Sequence, residues 1–217
     1  MPIQVAGTLP EIICNDSGRY EGDLRVYAKI VFNEAKNIRK PYHNFRHMFH
    51  VVWLCYQAIV FYGDRISKRN ARNLLVAALF HDFDHSGKAG NDSENIELAI
   101  HGFNKHILAE DRPFQKDISF LIMATQYPHL EDPVFKDFLV QIIRDADLSQ
   151  ALSVAWFQQV VVGLATEWDK QEIEVLKGQV GFLAKLQFHT RWAREMFPQN
   201  SINEKIAETQ DWIEILQ

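Results

Sequence analysis

The sequence predicts an all-α fold. Apolar residues recur at helical spacing in Leu24, Tyr27, Ala28, Val31 and Phe32, and again in Phe135, Phe138, Leu139, Ile142 and Ile143; this is the pattern of a helix face turned toward a core. No stretch keeps the strict alternation that a half-buried strand requires. Pro41, Gly63, Gly87 with Gly90, Pro113, Pro128, Pro133 and Pro198 fall between the periodic segments and punctuate them.

These signals predict nine helices. The first runs from Asp23 to Asn37, before Pro41, and the second from Asn44 to Tyr62, before Gly63-Asp64. The third, Lys68 to Phe80, ends on the apolar run Leu74 to Phe80. Ser93 is expected to cap the fourth, which extends to Leu108 with Glu94 and Glu97 near its start. Phe114 to Ala124 follows Pro113, and the sixth spans Pro133 to Asp145. A long helix is expected from Ser149 to Asp169, another from Lys177 to Met196, and a last from Ile202 to Leu216.

At 217 residues with 47% hydrophobic content, residues 1–217 suit one catalytic domain around one core. A net charge of −5 gives no general attraction to nucleic acid or anionic lipid, so a phosphate-bearing ligand needs a local positive source, which metal ions supply. Cys14 and Cys55 read as reduced thiols rather than a disulfide framework. The N-terminus lacks a basic segment followed by an apolar one, and the greasy stretch Phe49 to Tyr62 is too short to span a bilayer. The expectation is a soluble cytoplasmic protein with no membrane partner. The five tryptophans read as core residues, His189 as structural or exposed, and Lys68, Arg69 and Arg72 as a solvated basic face.

The most informative segment is His81-Asp82-Phe83-Asp84-His85, directly after an apolar run. A His-Asp pair alone is expected by chance about 0.6 times in a chain with this composition, but the five-residue string only on the order of 0.001 to 0.002 times. Burying such groups without partners costs several kcal/mol, whereas divalent cations satisfy imidazole and carboxylate together. Upstream, His43 and His47 stand four residues apart, on one face if that segment is helical. Downstream, Asp145 and Asp147 are two residues apart and would point to different sides of a helix, so only one of them is expected to reach the site.

Tyr42-His43-Asn44-x-x-His47, then His81-Asp82 with His85 and Asn91, then Ala146-Asp147-Leu148-Ser149, resembles the HD superfamily of metal-dependent phosphohydrolases. Within it the chain looks like the class I 3′,5′-cyclic-nucleotide phosphodiesterases, because Gln179-Val180-Gly181-Phe182-Leu183, followed by Phe197-Pro198, resembles the segment that holds the purine ring. The likeness runs from Pro41 onward, and the first forty residues carry none of it. It implies a compact multi-helix phosphodiesterase-like bundle. It also implies that His47, His81, Asp82 and Asp147 ligate a first ion, Zn²⁺ (or Fe or Mn), with Asp82 bridging to a second, Mg²⁺ or Mn²⁺, held largely by water. A water activated between two such ions would attack phosphorus. His43 matches the general acid that protonates the departing 3′ oxygen, its other nitrogen held by an acidic group or water, and His85 matches a supporting catalytic histidine. Gln179 and Phe182 would bind a purine cyclic nucleotide, cAMP or cGMP, with Tyr42 and Asn91 lining the same pocket.

The chain also departs from the family. It lacks the Glu-Asn-His-His run that lines the second metal, for which Glu94, Glu97, His101 and His106 are possible substitutes. Gln126 and His50 stand where aspartates are usual, and His129 lies close to the position of a family histidine. Three other readings remain open: a phosphohydrolase acting on linear nucleotides or other phosphoesters, an HD-type di-iron oxygenase with extra histidine ligands, and a nucleotide sensor without turnover.

Overall fold

Two neighbouring, largely buried helices organise the computed structural model, which describes residues 7–90, 92–129 and 136–217. The described residues form eleven α-helices and no strand. Helices α1 (Leu9–Cys14) and α2 (Arg25–Glu34) lead into the central pair, α3 (Phe45–Tyr62) and α4 (Lys68–Phe80). Next come α5 (Asp92–His106), α6 (Gln115–Met123) and α7 (Phe138–Leu148). The last four are α8 (Gly163–Trp168), α9 (Glu172–Lys185), α10 (Arg191–Met196) and α11 (Gln199–Leu216).

Helix α3 starts where the Asn44 side chain accepts from the backbone N–H of Arg46 and His47, and it stops at Gly63, whose φ of 52° is costly for other residues. Ser67 caps α4, and every residue from Ala71 to Phe80 is buried. Such burial all round the helix requires neighbours on every side, which α2, α3, α5, α6 and α7 provide. No single helix among the described residues is long and apolar enough to cross a membrane.

Several boundaries differ from the sequence expectation. Helix α1 has no strong apolar period, but a Thr8–Glu11 capping box and Pro10 start it. Ser93 lies inside the first turn of α5 instead of capping it. The expected start of the sixth helix, Pro133, and the periodic Phe135 lie outside the described residues. The single helix expected from Ser149 to Asp169 is a 3-10 turn at Ser149–Leu152, a π-helical turn at Phe157–Val162 and then α8. The helix expected from Lys177 to Met196 breaks at Leu186–Thr190, where Asp145 accepts the backbone N–H groups of His189 and Thr190. Local hydrophobic pattern carries no trace of that tertiary contact.

Of the solvated basic face expected at Lys68, Arg69 and Arg72, only Lys68 is exposed. Arg72 is 1% exposed and forks onto the fully buried Asp111 at 2.7 Å, while Arg69 reaches the same carboxylate. Tyr27 adds its hydroxyl to Asp111. Burial pushes the Asp111 pKa up, but its hydrogen bonds to Arg72 and Arg69 outweigh this and hold it below the usual range. Cys14 and Cys55 are both free thiols.

Asn37, wholly buried, sets the spacing of the two histidine motifs. Its amide donates to the carbonyls of His43 and Asp82, both at 2.8 Å, and its oxygen accepts from the Asp84 N–H at 2.9 Å. Asn37→Ala leaves up to three backbone groups without partners, each worth about 1–3 kcal/mol when buried. The expected loss is roughly 2–4 kcal/mol, read as a lower urea midpoint of metal-stripped protein. An unchanged midpoint would show that this clamp contributes nothing.

Candidate active site

The His81–His85 segment follows α4 as tight turns, and Phe83 fixes how it lies. The Phe83 ring stacks on Phe80 and rests on Gly102 of α5, where a methyl group would come within 2.3 Å of the ring. His81 and Asp82 therefore face inward, toward α3. Asp84, the fourth possible ligand of the string, adopts φ 63° and turns away to accept from the Lys36 N–H.

His47, His81, Asp82 and Asp147 converge on one buried point. His47 Nε2 lies 3.2 Å from His81 Nε2, 3.3 Å from Asp82 Oδ2 and 3.1 Å from Asp147 Oδ1. His81 Nε2 lies 3.5 Å from each of the same two oxygens. Ligands about 2.0–2.1 Å from a tetrahedral ion stand about 3.3–3.4 Å apart, so these separations suit zinc or a similar ion. The tautomers fit as well. His47 Nδ1 is held by Gln150 Oε1 at 2.7 Å and His81 Nδ1 by the Ala78 carbonyl at 2.8 Å, which leaves both Nε2 lone pairs for a cation. Asp82 Oδ2 is buried and has no hydrogen-bond donor.

The pKa directions agree with this geometry. Burial alone would depress His81, but the charges of Asp82 and Asp147 outweigh it and push the pKa up to about 9. His47 is raised in the same way, burial being overcome by its hydrogen bond to Asp147 and the charge of Asp82. For Asp147, burial is overcome by its hydrogen bonds to His47 and His81, which hold the carboxyl far below the usual range. The surroundings thus favour positive charge at the point where the four ligand atoms meet.

His43 precedes α3, so it shares no helix face with His47; the Tyr42–Asn44 turn brings the two rings to a centroid separation of 6.2 Å. His43 Nδ1 meets Glu167 Oε1 at 2.5 Å, and the other oxygen of Glu167 accepts from the Tyr42 and His43 N–H groups. Gly163 lets α8 come close enough for this, since a methyl group there would lie 3.1 Å from the Pro41 carbonyl. Burial lowers the His43 pKa more than the hydrogen bond to Glu167 raises it. His85 stacks on His43 at 3.6 Å and accepts the Gly87 N–H at Nδ1, so its proton sits on Nε2, facing Asp92 at 3.8 Å.

Both clusters open into a cavity of about 330 Å³ that Tyr42, His85, Gln179 and Phe182 also line. Gln179 Oε1 is buried there without a partner. Asn91 lies outside the described residues. Of the substitutes considered for the missing run, Glu94, Glu97 and His101 are exposed and His106 does not line the cavity; nor does His129, near the position of a family histidine. Helix α5 instead presents Asp92, Asn95 and Ile96 to it. His50 is also outside the cavity, its pKa lowered to about 4 by burial and then by His47. Trp168, expected in the core, lines the cavity, whereas Trp156 and Trp192 are core residues. His189 is exposed.

Sequence reading missed Glu167, Gln150 and Asn37. Glu167 is one of many acidic residues, and only its place one turn after Gly163 sets it apart. Gln150 is held in turn by Gln159 of the π-helical turn, its amide donating to Gln159 Oε1 at 3.0 Å.

Residues 42–100 match the family model of the 3′5′-cyclic nucleotide phosphodiesterases. The match spans His43, His47, His81, Asp82 and His85 and stops before Asp147, Glu167, Gln179 and Phe182. It supports a phosphodiesterase hydrolase, a family that generally binds divalent metals. No curated protein matches the chain.

Removing the carboxamide that orients His47 tests the metal reading without any substrate. Gln150→Ala is expected to weaken Zn²⁺ affinity by roughly 10–100-fold in a chelator competition. Equal affinity would mean that the Gln150 contact does not orient a ligand.

Proposed function

We propose that this chain is a metal-dependent phosphodiesterase that opens the 3′ ester of a purine cyclic nucleotide, and that its 217 residues act as one catalytic domain in the cytoplasm. The observation that carries this reading is the convergence of four ligand atoms, from His47, His81, Asp82 and Asp147, beside an imidazole held by a carboxylate. The family match over the same histidine motifs supports it. The free thiols of Cys14 and Cys55 suit a reducing compartment.

In this reading His47, His81, Asp82 and Asp147 hold the first ion, Zn²⁺ or alternatively Fe or Mn. Asp82 would also help to hold a second, Mg²⁺ or Mn²⁺. Such ions polarise phosphoryl oxygens and lower the pKa of a water. The remaining steps belong to the chain. Glu167 holds the Nδ1 proton of His43, so Nε2 is the nitrogen that gives its proton to the departing 3′ oxygen as water adds to phosphorus and the P–O3′ bond breaks. Burial lowers the His43 pKa and makes it a readier donor, while Glu167 stops it from falling too far. His85 also fixes the plane of the His43 ring by stacking. Gln179 offers its unpartnered oxygen to a purine edge, Phe182 a face for stacking, and Tyr42 closes the wall near His47. Because an amide both donates and accepts, Gln179 serves adenine and guanine alike.

Turnover decides the substrate class. Protein loaded with Zn²⁺ and Mg²⁺ or Mn²⁺ is expected to hydrolyse cAMP or cGMP faster than AMP or bis(p-nitrophenyl) phosphate, and Gln179→Ala to raise KM about tenfold or more, the usual cost of a lost base contact. Faster turnover of the linear esters would move the assignment to a general phosphohydrolase, and nucleotide binding without hydrolysis would make it a sensor. Two irons per chain with oxygen consumption would make it an oxygenase.

Glu167→Gln tests the acid. Glu167 raises the His43 pKa, so its loss lowers that pKa further, and less of the imidazole carries the required proton at a given pH. The alkaline limb of the kcat profile is expected to move to lower pH, with kcat reduced by about 10²-fold. A limb that stays in place would assign the proton to another group.

A further inference from the structure

The Lys40–Phe45 segment separates the candidate active site from a second cavity, of about 550 Å³. Tyr42 and His43 face the first cavity, and Pro41, Asn44 and Phe45 line the second. Arg39, Lys40 and Arg46 also line it, and none of its lining residues is acidic. This is unusual for a chain with a net charge of −5. The neighbouring Lys36 pairs with Asp84, whereas none of the three lining cations forms an ion pair among the described residues. The Lys40 ammonium turns the other way, toward Gly87 and Glu167; the like charges of Arg39 and Arg46 in one concavity repel each other, and a multiply charged anion relieves that repulsion.

The same cavity has an aromatic wall. Phe32, at the end of α2, is 57% exposed and stands nearly perpendicular to Phe45 at 4.8 Å, so an exposed ring lines the cavity together with the cations. Arginines next to an exposed ring form the combination that binds a phosphate together with a stacked base. A cavity of this depth suits a small molecule better than a flat lipid surface.

We propose that this second cavity binds a phosphate monoester carrying a planar ring, the chemical class of a nucleoside monophosphate. A monoester dianion carries twice the charge of a cyclic diester and is attracted correspondingly more strongly. On the reading given under Proposed function, opening the cyclic diester produces a molecule of this class, so the site responds to product more than to substrate. That consequence rests on the proposed reaction; the binding does not. Because the segment lining the cavity continues directly into His43, an occupant there bears on the position of the imidazole.

Calorimetric titration of 5′-AMP into metal-stripped protein tests the binding independently of any hydrolysis. One saturable site is expected. It should weaken as salt rises and lose about tenfold or more of its affinity in R39A/R46A, which removes two charge-assisted contacts from exposed positions. Inorganic phosphate should compete, and Phe32→Ala should weaken AMP but not phosphate. Equal affinity in R39A/R46A would overturn the proposal, as would loss of AMP binding in Gln179→Ala, which would put the nucleotide in the active-site cavity. Capture by phosphatidylserine vesicles with no binding of AMP or phosphate would overturn the small-molecule assignment in favour of a membrane surface.

Discussion

Two imidazole lone pairs 3.2 Å apart, each with two carboxylate oxygens 3.1–3.5 Å away, do not form a stable arrangement on their own. Without positive charge between them, desolvation and repulsion together would cost several kcal/mol. The rest of the structure holds this arrangement in place. His47 comes from α3, His81 and Asp82 from the turn after α4, and Asp147 from α7, so the packing of three helices sets the ligand geometry. Gln150 and the Ala78 carbonyl then fix which nitrogen each histidine presents.

The His43–Glu167 half of the candidate site is built by a different route. Its glutamate arrives from α8, after a 3-10 turn, a π-helical turn and a glycine have redirected the chain past the Pro41 carbonyl. A continuous helix from Ser149 would carry Glu167 along a different path. Irregular backbone therefore brings a carboxylate to an imidazole 124 residues away. Local helix preference is given up between Ser149 and Val162 in exchange for that contact, a common compromise next to functional sites.

Much of this was legible in the sequence, for identifiable reasons. Helices such as α3 and α4 declare themselves because both their apolar period and their caps are local. The candidate ligands His81 and Asp82 stand out because four ligand-type side chains within five residues after a buried run have few other uses. The missed residues share a different property: Asn37, Gln150 and Glu167 are ordinary polar residues whose roles come from long-range contacts. The first forty residues were expected to carry none of the likeness, and the family match begins at residue 42; Asn37, before it, owes its place across both histidine motifs to tertiary contact alone. The misread basic face shows the same limit, since nothing near Arg72 in sequence announces Asp111 thirty-nine residues later.

The contact of Phe83 with Gly102 has a consequence for lineages of chains like this one. The central residue of the His-Asp string and a position nineteen residues downstream occupy one volume, so neither can change size alone without displacing the ligands on either side of the ring. Drift at one site is thereby tied to drift at the other. In a set of descendants the two positions should vary as a pair, large with small, and this correlated variation would trace the candidate metal centre even where its own residues never change.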